Sequence, residues 1–103
     1  MTTLSYSLSP LAESDIDEIW LYFAQFDIEN ADKYLEILTD TFQLLGDHPL
    51  IGRDRSELSD GLRYFPKDNY CIFYHPTASG VRIMRILHAA RDIDSIAEKG
   101  SLN

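Results

Sequence analysis

Apolar and polar residues alternate over residues 4–8 and then take up the spacing of an amphipathic helix. The alternation predicts a short, half-buried strand. Ser9 and Pro10 follow as an N-cap and a proline at the first helical position, which indicates where a helix begins. The apolar residues after them predict a first helix over Pro10–Phe26, with one stripe that runs from Ala12 to Phe23. Trp20 of that stripe is expected in the helix–sheet core.

A second apolar stripe, with steps of three and four residues, predicts a helix over Asn30–Leu45. Gly46 suits its C-terminal cap, and Pro49 prevents the helix from continuing. Because only a few residues separate the two stripes, we expect the helices to form an antiparallel hairpin.

The pattern changes to a strand period in the second half of the chain. Residues 50–60 are polar and turn-like, and three runs of β-forming residues follow at Leu62–Phe65, Tyr70–His75 and Val81–His88. Short turns join these runs, which is typical of an antiparallel meander. In the last run, simple alternation puts Val81, Ile83, Arg85 and Leu87 on one face.

The element order β-α-α-β-β-β predicts an α+β fold, a helical hairpin packed on one face of a small, mainly antiparallel sheet. The core is expected to include Leu62, Ile72, Ile83 and Leu87. After the last strand, residues 89–102 are expected to form a short helix or tail. With 103 residues and 11.8 kDa the chain is one domain, spanning residues 1–103.

Charge is distributed unevenly along the chain. Ten acidic residues and a single base, Lys33, precede Arg53, whereas eight basic and seven acidic residues follow from that position. The first half therefore carries a charge of −9 and the second half +1, which together give the net charge of −8. A chain this acidic is repelled by nucleic acid unless its bases converge on one face. An acidic helical layer that serves only solubility explains the same split.

Several classes of protein are excluded by composition. The apolar runs are too short for a membrane span, and the first ten residues carry no Lys or Arg and no apolar core, so we expect no secretory signal. The single cysteine, Cys71, excludes an intramolecular disulfide. Cys71 and His75 share a strand face, but they lack the paired spacing of metal ligands and a third group that would orient a nucleophile. We expect no metal, no cofactor and a cytoplasmic protein.

Basic and aromatic residues are concentrated on the predicted meander. This set permits three interpretations: core tyrosines with arginines that pair with helix carboxylates, a partner-binding surface, or a site that acts on RNA. Its members are Arg63, Tyr64, Tyr70, Tyr74, Arg82, Arg85, His88 and Arg91.

The order of several short motifs resembles the ParE-type toxins of the RelE/ParE superfamily. Pro49–Arg53, Glu57–Leu58 and Gly61–Arg63 resemble their P-x-x-G-R…E-L…G-L-R stretch, Tyr70–Tyr74 resembles their Y-x-I-F-Y strand, and Arg85–Asp92 resembles their R-I-L-H-x-x-R-D ending. The helical positions agree as well, so the resemblance covers nearly the whole chain. The chain is identified as a member of this superfamily, on the ParE branch.

The resemblance implies the toxin of a type II toxin–antitoxin system. Such a toxin is held in a tight hetero-oligomer by a ParD-like antitoxin, reaches operator DNA only through that antitoxin, poisons DNA gyrase, and serves plasmid or chromosomal-locus stabilisation. The alternative is the RelE branch, which cleaves messenger RNA on the ribosome and would here use Arg63, Arg82, Arg85, His88 and Arg91. That branch commonly carries a tyrosine near the C-terminus, whereas the last tyrosine here is Tyr74. The acidic charge also disfavours ribosomal RNA, so we expect a non-enzymatic gyrase inhibitor.

Two sets of contact residues follow from this interpretation. Bases recur at the end of the last strand after being nearly absent before residue 53, so the candidates for binding the target are Arg85, His88 and Arg91. The antitoxin is expected to lay apolar residues flanked by basic ones against the acidic hairpin. The candidates for binding it are Asp15, Glu18, Tyr22, Glu36 and Asp40.

Overall fold

The computed structural model describes residues 4–90 together with residues 96, 98, 100 and 102. Two helices lie against a five-stranded sheet, which confirms the α+β prediction. The elements are β1 Tyr6–Leu8, α1 Pro10–Ala24, α2 Ile28–Asp47, β2 Arg53–Asp54, β3 Arg63–Lys67, β4 Tyr70–Thr77 and β5 Gly80–His88.

The first helix begins at Pro10 as predicted but ends at Ala24 rather than Phe26. The second begins at Ile28 rather than Asn30 and ends at Asp47 rather than Leu45. Ser9 caps α1 by accepting a hydrogen bond from the backbone N–H of Ala12, and Asp27 caps α2 in the same way. The prediction that Gly46 caps α2 is wrong, because the helix continues through it. A Cβ atom at Gly46 would clash with the carbonyl oxygen of Ser5. The glycine therefore allows α2 to pass close to the backbone of Ser5, just before β1.

The sheet has the order β1-β5-β4-β3-β2, with β1 parallel to β5 and every other pair antiparallel. The two-residue strand β2 falls in the stretch that was expected to be turn-like. β3 and β4 also continue through Pro66 and Pro76, where breaks were predicted. Each proline lies where one side of its strand has no neighbouring strand, so its missing N–H can face that side without cost to the ladder.

The larger core cluster lies between the helices and the sheet. Its members include Ile19, Leu38 and Phe42 from the helices and Ile72 and Ile83 from the sheet, all buried. The prediction that Trp20 belongs to this core is wrong. Trp20 is only half-buried, because its indole N–H donates to the exposed carboxylate of Asp32 on α2, at 2.8 Å, while its neighbour Ile19 turns inward.

A smaller cluster covers the opposite face of the sheet. It consists of Leu62, Phe73, Leu87 and Leu102, with Leu58, Tyr64, Cys71 and Ile96 packed against it. Most of the predicted tail at residues 89–102 lies outside the described residues, but Ile96 and Leu102 show that the end of the chain contributes to this face.

A β-bulge divides β5 and separates residues that alternation had placed together. Phe73 pairs with Arg85 but Tyr74 pairs with Ile83, so Met84 is an extra residue in the ladder. The extra residue reverses the alternation of sheet faces along β5. As a result, Ile83 packs on the helix side of the sheet and Leu87 on the opposite side. The prediction of one shared face for the whole strand is therefore wrong.

Candidate partner-binding cleft beside the last strand

A cleft of about 440 Å³ opens between α1 and the C-terminal half of β5. It exists because β1 pairs only with residues 81–83, which leaves the rest of β5 without a neighbouring strand on that side. Side chains of α1 form one wall, and the turn between β3 and β4 closes one end. The lining includes Glu18, Tyr22, Phe23, Tyr70, Ile86 and His88.

Asp15 joins α1 to the unpaired edge of β5. Its carboxylate accepts hydrogen bonds from Nε of Arg85 at 2.7 Å and from Nη2 at 2.9 Å, and it also accepts the backbone N–H of Ile86 at 3.0 Å. The Arg85 and Asp15 side chains are 12% and 9% exposed. The hydrogen bonds with Asp15 raise the pKa of Arg85 above its ordinary value, so the guanidinium keeps its charge in the pair.

This ion pair changes what two of the candidate contact residues can do. Asp15 was a candidate for binding the antitoxin and Arg85 for binding the target, but the structure brings the two together and buries them. The physical reason is that α1 passes over the open edge of β5, where a backbone N–H needs an acceptor. Removing either partner would leave a largely buried, unpaired charge, so we expect the pair to stabilise the fold.

Three other candidates meet at the cleft. Glu18 and Tyr22 lie one helical turn apart on α1, both are exposed, and Tyr22 is 53% accessible. His88 lies on the opposite wall, where its ring packs edge-on against Tyr70 with 5.6 Å between the ring centroids. A carboxylate, two aromatic rings and an imidazole therefore surround one opening, a combination suited to recognition of a peptide.

The remaining candidates do not meet at this place. Glu36 and Asp40 are exposed on α2, outside the lining of the cleft. Arg91 lies outside the described residues. The cleft thus unites two residues assigned to the antitoxin, Glu18 and Tyr22, with one assigned to the target, His88.

An exposed apolar patch at the tip of the hairpin was missed by the sequence analysis. Leu21, Phe26 and Ile28 are largely exposed, and Phe26 is 75% accessible. Tyr22 connects this patch to the cleft, since its ring packs edge-on against Phe26 with 5.7 Å between centroids. The available signal was the presence of large apolar residues on helix positions outside the buried stripe.

The loop after α2 is held by two residues of the sheet. The hydroxyl of Tyr74 donates to the carbonyl of Pro49 at 2.8 Å and accepts the N–H of Gly52 at 2.9 Å. Arg63 donates to the carbonyls of Gly52 and Leu50 at 3.0 and 3.1 Å. A Cβ atom at Gly52 would lie 2.3 Å from the Tyr74 hydroxyl oxygen, so this close approach requires glycine. Both hydrogen bonds of Arg63 therefore hold this loop against β3.

The structure does not assemble a metal site or a nucleophilic pair from the described residues. No three His, Cys, Asp or Glu side chains among them lie close enough to hold a metal ion. Burial raises the pKa of the Cys71 thiol, which disfavours the reactive thiolate. Nε2 of His75 lies 3.0 Å from the carbonyl oxygen of Leu102 and is hydrogen-bonded there.

Comparison with known proteins decides the family. The sequence profile described as "ParE toxin of type II toxin-antitoxin system, parDE" matches residues 6–93. Toxin ParE1 of Mycobacterium tuberculosis is 31% identical over 91 residues, which cover 86% of this chain and 93% of that protein. Toxin ParE1 of Caulobacter vibrioides is 33% identical over 84 residues, which cover 81% and 86% of the two chains. The chain belongs to the ParE toxin family.

A solved structure of a ParE-containing complex shares the architecture. The match to the chromosomal ParDE toxin–antitoxin system from P. aeruginosa has a TM-score of 0.69 and covers 82% of this chain and 95% of that one. At 18% identity, the match shows the fold. It agrees with two helices packed on a five-stranded mixed sheet.

Within this ParE-family chain, the motifs that carried the resemblance serve mainly the scaffold. Gly52 lies in the loop after α2, Arg63 on β3 holds that loop, and residues 70–74 belong to the central strand β4. Among the residues that the structure describes, no helix is long and apolar enough to cross a membrane. Among the described residues, those exposed at the rim of the cleft and on the outer faces of the helices include Glu18, Tyr22, Glu36, Asp40 and His88.

Proposed function

We propose that this ParE-family toxin binds DNA gyrase without catalysis and blocks replication, and that a ParD-like antitoxin neutralises it in a tight hetero-oligomer. Family membership supports the toxin role and the ParD-type partner. The observation that supports gyrase over RNA as the target is that Arg63 and Arg85 are already hydrogen-bonded within the fold. Arg85 is bound by Asp15, and Arg63 is bound by backbone carbonyls.

The same observation argues against an endoribonuclease. Cleavage of RNA needs a base and several cations that converge on one phosphate. Of the basic residues that could serve, Arg63 and Arg85 are already bound, while Arg82 and His88 lie at opposite ends of β5. With a rise of about 3.3 Å per residue, these two are separated by roughly 20 Å along the strand. Arg63, Arg82, Arg85 and His88, the described bases of the endoribonuclease alternative, therefore do not converge on one phosphate.

The antitoxin surface in this proposal is the outer side of the hairpin together with the cleft. Glu18, Glu36 and Asp40 supply negative charge, and Tyr22 and Phe26 supply exposed apolar area. An amphipathic helix with apolar residues flanked by Lys or Arg matches this combination. Because the acidic toxin would be repelled by operator DNA, it reaches that DNA through the antitoxin. Its place of action in this proposal is the cytoplasm, where gyrase works.

Supercoiling by purified gyrase, compared with toeprinting on a translated message, tests the target. We expect the chain to inhibit supercoiling and to leave the message uncut. The exposed His88 and, from the sequence alone, Arg91 are the proposed target contacts. Arg91→Ala should weaken inhibition by about 1–3 kcal/mol of binding free energy. The matched control is Arg55→Ala, which removes an arginine that lies beside the Tyr64 ring and pairs with Glu57.

Each variant is first shown to be folded and to bind the antitoxin. Cleavage of the message together with normal supercoiling would assign the chain to the RelE activity instead. Equal inhibition by Arg91→Ala and by the intact chain would remove Arg91 from the target surface while leaving gyrase as the target.

A further inference from the structure

The loop between α2 and β2 is held in place by the sheet although it lies at the surface. Two side chains, Tyr74 and Arg63, make four hydrogen bonds to its backbone. The same loop turns apolar side chains outward, since Leu50 is 72% and Ile51 48% exposed. Ordering a loop costs conformational entropy, and a loop that is ordered before binding spares its partner that cost. The loop therefore presents two apolar side chains in a preorganised form.

Arg53 follows this loop on β2 and carries an unmatched charge. Its side chain is exposed and forms no ion pair with another residue that the structure describes. Its guanidinium carbon lies 5.9 Å from the centre of the Tyr64 ring, and Nη1 donates to the Tyr64 hydroxyl at 3.4 Å. Tyr64 stacks in turn on the buried ring of Phe73, with 5.8 Å between centroids. The anchored ring orients the guanidinium and leaves it further N–H donors for a carboxylate.

An open hollow of about 360 Å³ brings the loop and the arginine together at the outer edge of β3, just before β2 begins. Its lining consists of Ile51, Gly52, Arg53, Tyr64, Phe65 and Pro66. The hollow thus combines apolar surface, an aromatic ring and a cation. Proline has no N–H to offer to an added strand, so a partner would bind here through its side chains rather than by strand pairing.

We propose that an acidic segment of the target protein binds this loop surface, which is formed by Leu50, Ile51, Arg53 and Tyr64. A carboxylate of the segment meets the guanidinium of Arg53, and an apolar side chain beside it packs on the loop. The inference rests on the proposed function, because it names one part of the surface by which the toxin would hold gyrase. It adds contacts that lie apart from His88 and Arg91.

Charge and residue type define this occupant. The first half of the chain has a charge of −9 and suits a basic partner, whereas Arg53 attracts a negative group. Nucleic acid is also negative, but the net charge of −8 repels a long phosphate backbone, and two exposed aliphatic side chains suit a protein. Arginine and tyrosine beside apolar residues are typical of the residues that dominate protein–protein binding.

The loop surface and the cleft lie towards opposite edges of the sheet. β5, β4, β3 and β2 follow one another in the strand order. The three spacings between them put β2 roughly 14 Å from β5. Binding of the antitoxin to the hairpin and the cleft can therefore serve as an internal control for substitutions in the loop surface.

Two arginines beside one ring provide a matched pair of variants. The guanidinium carbon of Arg55 lies 5.4 Å from the Tyr64 ring centre, but its charge is paired with Glu57. We expect Arg53→Ala to raise the Kd for purified gyrase roughly tenfold, and Arg53→Glu to raise it further. Arg55→Ala should change the Kd by less than about twofold. Added salt should narrow the gap between the intact chain and Arg53→Ala, because salt screens an exposed charge.

A second pair of variants tests the apolar half of the loop surface. Leu50→Ala should raise the Kd for gyrase roughly threefold, because it removes part of the packing on the loop. Leu4→Ala removes the same side chain from a position that is 63% exposed elsewhere on the molecule, and it should leave the Kd unchanged. Surface plasmon resonance with immobilised gyrase measures the Kd of each variant, and inhibition of supercoiling gives a second readout.

Every variant is also melted by circular dichroism and titrated with the purified product of the adjacent open reading frame. Unchanged binding of gyrase by both Arg53→Ala and Leu50→Ala would overturn the loop surface and leave gyrase as the target. Weaker binding of gyrase and antitoxin alike by Arg53→Ala would also overturn it, since the change would then act through the fold. If Arg53→Ala lost affinity for a single-stranded RNA oligonucleotide but not for gyrase, the surface would belong to nucleic acid instead. Failure of the intact chain to bind gyrase would overturn the target and this inference with it.

Discussion

The two faces of the sheet are covered in different ways. On one face, α1 and α2 supply long periodic stripes, and the core there draws on both helices and on β1, β4 and β5. On the other face, single residues from separate places, Leu58, Ile96 and Leu102, close a smaller cluster around Phe73 and Leu87. The comparison shows that the two faces differ in how much they contribute to the stability of the fold. The helix side carries most of the core, and its outer surface carries the acidic and aromatic residues.

The largest expected effect is on the helix side. Phe42 is fully buried, so Phe42→Ala should lower the free energy of unfolding by about 3–5 kcal/mol. Phe26→Ala removes the same side chain from a position that is 75% exposed and should change stability by less than about 1 kcal/mol. Urea denaturation followed by circular dichroism measures both. Similar losses in the two variants would contradict the placement of the main core between helices and sheet.

A smaller effect is expected on the opposite face. Leu102 is buried, but it belongs to the smaller of the two clusters, where fewer side chains surround it than surround Phe42. Leu102→Ala should therefore cost about 2 kcal/mol, the low end of the range for a buried leucine. Leu50→Ala, at an exposed position, serves as the control in the same denaturation experiment. A loss as large as that of Phe42→Ala would mean that the two faces contribute equally.

The packing of Ile96 and Leu102 against the sheet also affects which variants can be used to measure toxicity. A chain that ends at Ala90 lacks Ile96 and Leu102, so it uncovers Phe73 and Leu87 as well as losing any target contact in the tail. Its loss of inhibition would mix unfolding with lost binding. Arg91→Ala is the cleaner variant for that reason.

The smallest expected effect at neutral pH concerns Tyr34, on the helix side. Its ring packs against Phe23 and Tyr70, and its hydroxyl is buried with no hydrogen-bond partner among the described residues. Burial and, secondarily, the negative charge of Asp68 raise the pKa of Tyr34 above its usual range. Because the pKa is higher in the folded state, the neutral tyrosine favours folding, and stability falls as the pH rises above about 10.

Tyr34→Phe should leave the free energy of unfolding at pH 7 nearly unchanged, because no hydrogen bond is lost. Above pH 10 its stability should fall less steeply than that of the unaltered chain. Part of the fall in stability with pH will persist in the variant, since burial also raises the pKa of Tyr70 and Tyr74. Denaturation curves at pH 7, 9, 10 and 11 measure the slopes, and identical slopes would show that Tyr34 ionises equally easily in both states.

Much of the fold follows from the sequence because the signals are local. Ser9 with Pro10, and the two apolar stripes, give the helices to within a few residues, and the β-rich runs give β3, β4 and β5. The errors occur where a distant contact overrides the local preference. Gly46 lies within a helix that passes close to the backbone of Ser5, and Trp20 stays only half-buried because Asp32 accepts its N–H.

The candidate cleft was only partly predictable. Charge and residue type indicated Glu18, Tyr22 and His88, but no local pattern shows that Asp15 and Arg85, 70 residues apart, bond to each other. The open edge beside His88 depends on how short β1 is and on where α1 crosses β5. Both are properties of the assembled sheet.

The bulge at Met84 has a consequence for comparing this chain with its relatives. Deleting Met84 would leave the pairing of Phe73 with Arg85, and of Tyr74 with Ile83, as neighbours in a regular ladder, so the residues on either side would keep their faces. The pairing on either side of the bulge is therefore compatible with a strand that is one residue shorter. Such a deletion has a structural cost, because the carbonyl of Met84 accepts the buried Ser9 hydroxyl. A relative with the shorter strand should carry a different residue at the start of its first helix.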